Sequence, residues 1–403
     1  MKVLVLNCGS SSIKFKLIEM PANKVLESGG IEKLALPDCQ TKYKKGEGSK
    51  VLVKKPISNH LEGVNFIFEL LTGKDTGVIS SLNEIDAVGH RVVHGGEKFN
   101  SSVLIDAAVI KQIEECKKLA PLHNAPNLTG IQAITELLPQ VPQVAVFDTA
   151  FHQTMPAKAF MYALPYDLYK NDGVRRYGFH GTSHRFIAQR VAEMLGSKAC
   201  SKMITCHLGN GASIAAIKDG KSVDTSMGLT PLEGLVMGTR SGDIDAGAVT
   251  YLMDTKGYST KEISTLLNKK SGLLGVSGLC SDMRDLIQAC HEGKNPQAQV
   301  AFDLFVYRVK KYIGSYVAAL NGLDVLVFTG GIGENEEPVR KAVCADMDYL
   351  GIAVDPDKNL ALPHGGEGDI SAAGAHVKTL VVPTDEEYMI AADTVAIVSK
   401  LKK

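Results

Sequence analysis

The chain has 403 residues, of which 45% are hydrophobic and 22% are charged, an ordinary composition for a globular protein with a generous core. Lysine plus arginine and aspartate plus glutamate balance at 44 each, so no overall field draws the protein to nucleic acid or to an anionic membrane. There is no apolar run of membrane-spanning length, no secretory signal, and no disulfide-framework or Cys-x-x-Cys spacing among the eight cysteines. We therefore expect a cytoplasmic protein that binds neither nucleic acid nor membrane.

Strands and helices alternate along the first part of the chain, which predicts an α/β fold. Strands are predicted at residues 3–7, 13–19, 87–93 and 144–148, and helices at residues 60–72, 107–119 and 127–138. The segment 42–55 is rich in Lys, Gly and Glu and is typical of an exposed hairpin or loop. We place a domain boundary near Asp148.

The second part of the chain continues the alternation. Thr182 and Ser183 predict the cap of a helix that runs to Leu195 and stops at Gly196. Further elements are predicted as helices at 260–268, 282–291 and 296–320, a strand at 324–328 and a last helix at 384–403. We expect the last helix to pack back on the first domain, giving one lobe of residues 1–148 plus 385–403 and another of residues 149–384.

A repeated strand–turn–strand pattern is the most informative feature of the sequence. Residues 3–14 and 203–214 each form an apolar strand that ends on a polar residue (Asn7 or His207), followed by a glycine turn and a second strand. Two such hairpins would offer backbone N–H groups and hydroxyls to two phosphates, with Lys14 adding a charge to the first. This predicts a two-lobed phosphotransferase or ATPase, the alternative being two unrelated hairpins.

Other phosphate-type features lie outside the hairpins, although no Walker-A loop and no Rossmann fingerprint is present. The sequence Gly-Gly-Ile-Gly-Glu-Asn at 330–335 joins a buried strand to a helix, where backbone can approach an adenosine or an α-phosphate closely. By itself it could be any tight turn. Arg284, at the start of a predicted helix, could contact the nucleotide or lie on the surface.

Charged and imidazole side chains complete the candidate chemistry. Arg91 and Arg240 lie in glycine-rich segments, where a guanidinium can fork onto a carboxylate or a phosphate. His180 and His184 have the i, i+4 spacing of a zinc pair, but Gly181 and the predicted cap between them argue against zinc. Asp148 at a strand end, and Glu386 and Glu387 at a helix start, are carboxylates whose alternative role is that of a cap. Nucleotide phosphoryl transfer needs a hard cation held by oxygen ligands, which favours Mg²⁺ near Asn7 or Glu386.

Taken together, these segments resemble the acetate kinase family over essentially the whole chain. The resemblance is carried by Val-Leu-Asn-Cys-Gly-Ser-Ser-Ser-Ile-Lys, Ile-Thr-Cys-His-Leu-Gly-Asn-Gly-Ala-Ser-Ile, Gly-His-Arg-Val-Val-His-Gly-Gly, Phe-Asp-Thr-Ala-Phe-His, Arg-Tyr-Gly-Phe-His-Gly-Thr-Ser-His, Gly-Thr-Arg-Ser-Gly-Asp and Phe-Thr-Gly-Gly-Ile-Gly-Glu-Asn. It implies a two-lobed, duplicated actin-like (ribonuclease H-like) α/β fold with an active-site cleft between the lobes, and a homodimer. The implied reaction converts acetate and ATP into acetyl phosphate and ADP, reversibly.

The resemblance also implies roles for individual residues. The cation Mg²⁺, or Mn²⁺ in its place, is held by Asn7 and Glu386. The phosphates are gripped by Lys14 and by the loop His207, Leu208, Gly209, Asn210 and Gly211. The adenosine side is bound in the C-terminal lobe by Asp282, Met283, Arg284, Gly331, Ile332, Gly333, Glu334 and Asn335.

On the acceptor side, the resemblance implies that Arg91 binds the acetate carboxylate and that Asp148 is catalytic. The transferring phosphoryl group is stabilised by His180 and Arg240. The methyl pocket is lined by Val93, Leu122, Phe179 and Pro231. One departure is Thr-Asp-Glu-Glu at 384–387, where the family usually has Thr-Asn-Glu-Glu, so Asp385 adds a negative charge beside the implied metal ligand.

Two alternatives remain at this point. A propionate or butyrate kinase of the same family is one, because an extra methylene changes binding by only about 1–3 kcal/mol in a hydrophobic pocket. A non-catalytic ATP-binding switch is the other, but it leaves Arg91, Arg240 and the apolar pocket without a role.

Overall fold

The computed structural model describes residues 1–401, without the side chains of Pro121 and Leu122. The strands are β1 Lys2–Cys8, β2 Ser12–Glu19, β3 Lys24–Glu32, β4 Gln40–Lys45, β5 Val51–Lys54, β6 Ala87–Val92, β7 Val103–Leu104, β8 Gln143–Phe147, β9 Lys202–His207, β10 Ser213–Lys218, β11 Lys221–Thr225, β12 Val325–Thr329, β13 Gly368–Asp369 and β14 Lys378–Val381. The chain divides into two compact units, Met1–Ala150 with Asp385–Lys403, and Phe151–Thr384.

The α-helices follow the same alternation. They are α1 His60–Thr72, α2 Ala107–Glu115, α3 Pro121–Leu137, α4 Ala157–Phe160, α5 Tyr166–Asp172, α6 Gly181–Leu195, α7 Ala246–Lys256, α8 Thr260–Lys269, α9 Gly272–Ser277, α10 Met283–Glu292, α11 Pro296–Leu320, α12 Gly330–Asn335, α13 Glu337–Cys344, α14 Pro356–Ala361 and α15 Glu386–Val398. Within the described part of the chain, no helix combines the length and the apolar character needed to cross a membrane.

The first unit is built on one sheet with strand order β5-β4-β3-β2-β1-β6-β8-β7. Side chains alternate along β1, because successive residues of a strand point to opposite faces. Leu4 and Leu6 pack into the core under α1 and α3, while Val3 and Val5 pack against α15. The last helix of the chain is therefore part of the core of the first unit.

The second unit repeats this arrangement on a sheet with order β11-β10-β9-β12-β14-β13. In each sheet an antiparallel hairpin comes first in sequence: β1 pairs with β2, and β9 pairs with β10. In each sheet the first of these strands then pairs in parallel with a later strand, β6 or β12. This two-lobed α/β architecture confirms the fold class predicted from the repeated sequence pattern.

Several helix boundaries differ from the sequence prediction, among them the end of α2, which is at Glu115 instead of residue 119. Helix α6 is not capped by Thr182 or Ser183: its N-cap is His180, in the left-handed conformation at φ 55°, and the Ser183 hydroxyl lies 2.8 Å from His207 Nδ1 instead. Helix α3 begins at Pro121, because proline is well tolerated at the first helical position. The last helix begins at Glu386 and ends at Val398.

Candidate active site

Arg91, which is partly exposed, and the buried Asp148 form an ion pair in the first unit. Arg91 lies on β6 and Asp148 directly follows β8; the two strands are parallel neighbours, so these side chains share one edge of the sheet. Arg91 Nε donates to both Asp148 carboxylate oxygens at 3.1 Å, and Nη2 donates to Oδ2 at 2.5 Å. Because Asp148 is only 1% exposed, this contact fixes the orientation of the guanidinium group.

Glu386, at the start of α15, adds a second carboxylate 3.9 Å from Arg91 Nε. Burial raises the pKa of Glu386 to about 7; Arg91 opposes that shift, and the Asp148 and Glu387 carboxylates reinforce it. Burial by itself would lower the pKa of Arg91, but Asp148 and Glu386 outweigh it and raise that pKa. The site therefore holds more negative charge than one guanidinium neutralises.

The donor set beside Arg91 fits a hard cation. Asn7, Lys14, Glu386 and Glu387 line one small cavity together with Arg91. Amide and carboxylate oxygens are the ligands that Mg²⁺ prefers, and a divalent ion would balance the crowded carboxylates. Asn7 on β1 pairs with Lys14 on β2, so the two residues face each other across the hairpin.

The extra charge of Asp385 is accounted for locally. Its carboxylate caps α15 by accepting the Tyr388 backbone N–H at 3.0 Å. The same carboxylate lies 3.6 Å from Lys16 Nζ, which also lies 3.3 Å from Glu387. Asp385 is thus a helix cap with a cationic partner.

Val93 lies just beyond the end of β6, two residues after Arg91, and is 6% exposed. Its backbone N–H donates to Asn127 Oδ1 at 3.0 Å, and Asn127 Nδ2 donates to the Cys8 carbonyl at 2.8 Å. Asn127 therefore ties the ends of β1 and β6 together, a role that sequence reasoning missed. The predicted pocket residue Leu122 lies outside the described side chains.

In the second unit, His180, His207 and Arg240 gather around Gly211. The His180 and His207 rings stack with centroids 4.3 Å apart. A Cβ added at Gly211 would lie 3.4 Å from His180 Nε2 and 3.6 Å from Arg240 Nη1. Arg240 Nη1 donates to the Pro231 carbonyl at 2.9 Å, which anchors the guanidinium.

Buried hydrogen bonds support this cluster from behind. Ser183 Oγ lies 2.8 Å from both His207 Nδ1 and Thr384 Oγ1. The two ring nitrogens of His184 lie 2.7 Å from the hydroxyls of Thr205 and Ser213. His184 is therefore occupied by hydroxyls, in agreement with the argument against a zinc pair. Burial lowers the pKa of His184 well below its ordinary value, which keeps the ring neutral.

Phe179 is also fixed in the second unit. It is 2% exposed, and its carbonyl lies 3.0 Å from His152 Nε2. Another predicted pocket residue, Pro231, contributes the carbonyl that holds Arg240.

A pocket of about 490 Å³ in the second unit collects most of the predicted adenosine-side residues. Its lining consists of Gly209, Asn210, Ser281, Asp282, Met283, Arg284, Gly331, Ile332, Asn335, Glu336 and His364. A Cβ at Gly331 would meet no atom within 4 Å, so this glycine leaves the pocket wall open. Sequence reasoning missed Ser281, Glu336 and His364, which reach the pocket through loop geometry rather than through a motif.

Some predicted adenosine-side residues act behind the pocket wall. Glu334 Oε1 accepts the backbone N–H groups of Gly330 at 2.8 Å and Thr384 at 3.1 Å, which closes the turn. Gly333 is buried in the same turn. The carbonyl of Leu208 accepts the Ile332 N–H at 2.8 Å and so joins the two glycine loops. Arg284, by contrast, is exposed and pairs with Asp282 at 2.7 Å.

Comparison with known proteins gives one consistent result. The sequence profile of the acetokinase family matches residues 2–392. An acetate kinase from Bacteroides fragilis is 58% identical over 401 residues, covering 99% of this chain and 100% of that protein. The crystal structure of Porphyromonas gingivalis acetate kinase superposes with a TM-score of 0.94 at 55% identity, covering 98% and 99% of the two chains. A propionate kinase structure from Francisella tularensis gives a TM-score of 0.91 at 43% identity, with the same coverage.

Proposed function

The chain belongs to the acetokinase family, and from that premise we propose that it transfers the γ-phosphoryl group of ATP to acetate. The products are acetyl phosphate and ADP, and the reaction is reversible. The observation that carries the proposal is the fixed guanidinium of Arg91. Asp148 holds its Nε and Nη2, while Nη1 makes no hydrogen bond to the described residues and can donate to a substrate carboxylate.

The acceptor needs positioning rather than deprotonation. An acetate carboxylate has a pKa close to that of glutamic acid, about 4.3, so it is already ionised at neutral pH. Asp148 is therefore assigned as the residue that orients Arg91, and Val93 as part of the wall around the methyl group. The barrier that remains is the approach of one anion to another, which cationic groups lower.

The nucleotide side is assigned to the second unit. The 490 Å³ pocket suits the adenosine, and the loop of residues 207–211 suits the phosphates. Arg240 and His180, which flank Gly211, are assigned to the charge on the transferring phosphoryl group. Lys14, on the β1–β2 hairpin of the first unit, is assigned to the phosphates as well.

A divalent cation completes the proposal. Asn7 and Glu386 would hold Mg²⁺, or Mn²⁺ in its place, and the ion would neutralise negative charge on the ATP phosphates. The support is the chemistry of the donors and the raised pKa of Glu386. Removal of the metal with EDTA is expected to abolish turnover, and added Mg²⁺ to restore it.

The test is a hydroxamate assay for acyl phosphate with ATP, Mg²⁺ and acetate, propionate or butyrate. We expect acetate to give the highest kcat/KM, and Arg91→Ala to lose nearly all activity. The matched control is Arg190→Ala, because Arg190 is an exposed arginine paired with Glu367. A higher kcat/KM with propionate than with acetate would mean that propionate is the preferred substrate. If the protein bound ATP but formed no acyl phosphate from any of the three acids, the non-catalytic ATP-binding switch would be the remaining function.

We further propose a homodimer in the cytoplasm. Val300, Leu304 and Tyr307 form an exposed apolar row on α11, at the i, i+4, i+7 spacing of one helix face. A second copy of the chain is the occupant we assign to this row, and Leu304→Glu should shift the sedimenting species from dimer to monomer. All eight cysteines are free thiols, which suits a reducing compartment.

A further inference from the structure

A basic groove lies on the first unit beside the cavity that holds Arg91 and Glu386. Its volume is about 250 Å³, and it is lined by Lys14, Ser28, Gly29, Gly30, Glu32, Lys42, Tyr43, Lys44 and Lys50. Four lysines therefore face one small concavity that contains a single carboxylate. We propose that this groove is a binding site for a compact multivalent anion of the oligophosphate class, separate from the nucleotide pocket.

The charge of the groove is not cancelled by its surroundings. Glu32 is already engaged by Lys42 at 3.0 Å and by Gln40 at 2.9 Å. Within residues 1–401, neither Lys14, Lys44 nor Lys50 forms an ion pair. Because Lys14 is assigned to the ATP phosphates and Lys42 is paired with Glu32, the ammonium groups of Lys44 and Lys50 remain for a separate anion.

Lys16, on the same strand as Lys14, is an example of a lysine that is paired with carboxylates. Its ammonium lies between Asp385 and Glu387 at 3.6 and 3.3 Å, so its charge is locally balanced. Lys44 and Lys50 have no such acidic partner among residues 1–401, whereas Lys42 is paired with Glu32. Unpaired lysines this close repel one another, and an anion between them removes that repulsion.

The shape of the groove depends on two adjacent glycines in β3. A Cβ at Gly29 would come within 2.6 Å of the Lys42 carbonyl, so packing alone requires glycine there. A Cβ at Gly30 would meet only ordinary contacts, 3.5 Å to the Ile13 carbonyl and 3.6 Å to Lys14 Cγ. Packing therefore tolerates a side chain at Gly30, and its absence leaves the groove floor open.

Lysine suits a phosphate chain better than a planar carboxylate. Its ammonium is a compact point charge on a flexible stem, whereas bidentate carboxylate recognition favours the arginine fork. The groove contains lysines and no arginine. The ligand is accordingly expected to be recognised by charge density, with affinity that falls as salt concentration rises.

The test uses tripolyphosphate as the probe and isothermal titration calorimetry as the readout. The Mg²⁺ complex of a non-hydrolysable ATP analogue is present at saturation without excess Mg²⁺, so that the nucleotide pocket is filled and no free Mg²⁺ chelates the probe. We expect the wild-type chain to bind one tripolyphosphate per chain at low salt. The double variant Lys44→Gln/Lys50→Gln should bind at least 10-fold more weakly.

Two further variants separate a shaped site from general charge. Lys74→Gln/Lys111→Gln removes the same charge from exposed positions of the first unit that do not line the groove, and it should bind like wild type. Gly30→Val keeps every charge, suits a strand and fills the groove floor, so it should lose binding. Equal weakening in both double variants, unchanged binding in Gly30→Val, or no wild-type binding would each overturn the proposal.

Discussion

Arg91 and Asp148 form one ion pair that bears on both folding and the proposed chemistry. The carboxylate is almost fully buried, and its partner is fixed through two nitrogens, so neither side chain keeps rotational freedom. Removing the arginine leaves a buried carboxylate without its partner, which in other proteins costs about 3–5 kcal/mol. Kinetic effects of substitutions here should therefore be read beside thermal stability.

Substitutions of the two arginines assigned to the site should have different effects on KM and kcat. Arg91→Ala should raise the KM for acetate as well as lower kcat, because the carboxylate is bound in the ground state. Arg240→Ala should act chiefly on kcat, because its charge is needed as the phosphoryl group transfers. Steady-state kinetics at varied acetate, beside thermal melts, make the comparison. The opposite pattern would exchange the two roles.

Asp148 is expected to orient Arg91 and not to accept a proton. Asp148→Asn should lose much activity, because a neutral amide holds a guanidinium less firmly than a carboxylate does. Any fall of kcat at acid pH should persist in this variant, since the attacking acetate has no proton to give up at pH 7. The measurement is kcat against pH at saturating acetate and Mg-ATP. An acid limb present in wild type and missing from the variant would identify Asp148 as a titrating base.

Glu27 carries a pH dependence of stability that is independent of the site. It is fully buried on β3 without a hydrogen-bond partner in the described part of the chain, and burial raises its pKa to about 7, with Lys45 opposing the shift. Between its unfolded pKa, about 4.3, and pH 7, the folded state holds the proton more tightly. The free energy of unfolding should therefore fall as pH rises through that window.

Glu27→Gln should remove this decrease in the free energy of unfolding at higher pH. We expect it to stabilise the protein at pH 8 by on the order of 1–3 kcal/mol, with the gain shrinking toward pH 4.5. Urea unfolding at both pH values measures the difference. Glu32→Gln on the same strand is the control, because Glu32 is exposed and hydrogen-bonded, and it should not stabilise. Equal behaviour of the two variants would contradict the assignment.

At the scale of elements, the turn of α12 depends on a buried arginine of α13. Arg340 is 1% exposed and donates to the carbonyls of Gly333 at 3.1 Å and Glu334 at 2.9 Å. Its Nε donates to Asn359 Oδ1 at 2.6 Å. It thereby positions the glycine turn whose other residues line the proposed nucleotide pocket.

Arg340→Lys should therefore weaken nucleotide binding in particular. A lysine cannot reach these three acceptors together, so the turn should lose its fixed geometry. The KM for ATP is expected to rise at least several-fold while the KM for acetate changes little. Lys341→Ala, an exposed substitution on the same helix, is the control. A drop in thermal stability with both KM values unchanged would leave Arg340 a purely structural residue.

Local signals predicted the elements well where local interactions decide them. Helix α11 occupies residues 296–320 as predicted, because Asn295 caps it and Pro296 stands at its first position. The predicted start of α6 was wrong, because the Ser183 hydroxyl lies against His207 and Thr384, which are far away in sequence. Asn127 and His364 escaped prediction for the same reason: their roles arise from contacts between distant segments.

At the scale of the whole molecule, the repeated hairpin correctly indicated two related halves. Each sheet begins with an antiparallel pair and continues through a parallel one. The motif could indicate the repetition because glycine turns and strand ends are local features. The hairpin motif does not indicate the return of Asp385–Lys403 to the first unit, which was predicted separately from the last helical segment.

That return sets an order of events during protein synthesis. The residues 151–384 form a contiguous unit that can complete its core as soon as they leave the ribosome. The first unit must wait, because the face of β1 that carries Val3 and Val5 is covered by α15, which is synthesised after residues 151–384. Residues 1–150 are thus made before the second unit but completed after it, and until α15 is made they present an uncovered apolar sheet face to which chaperones can bind.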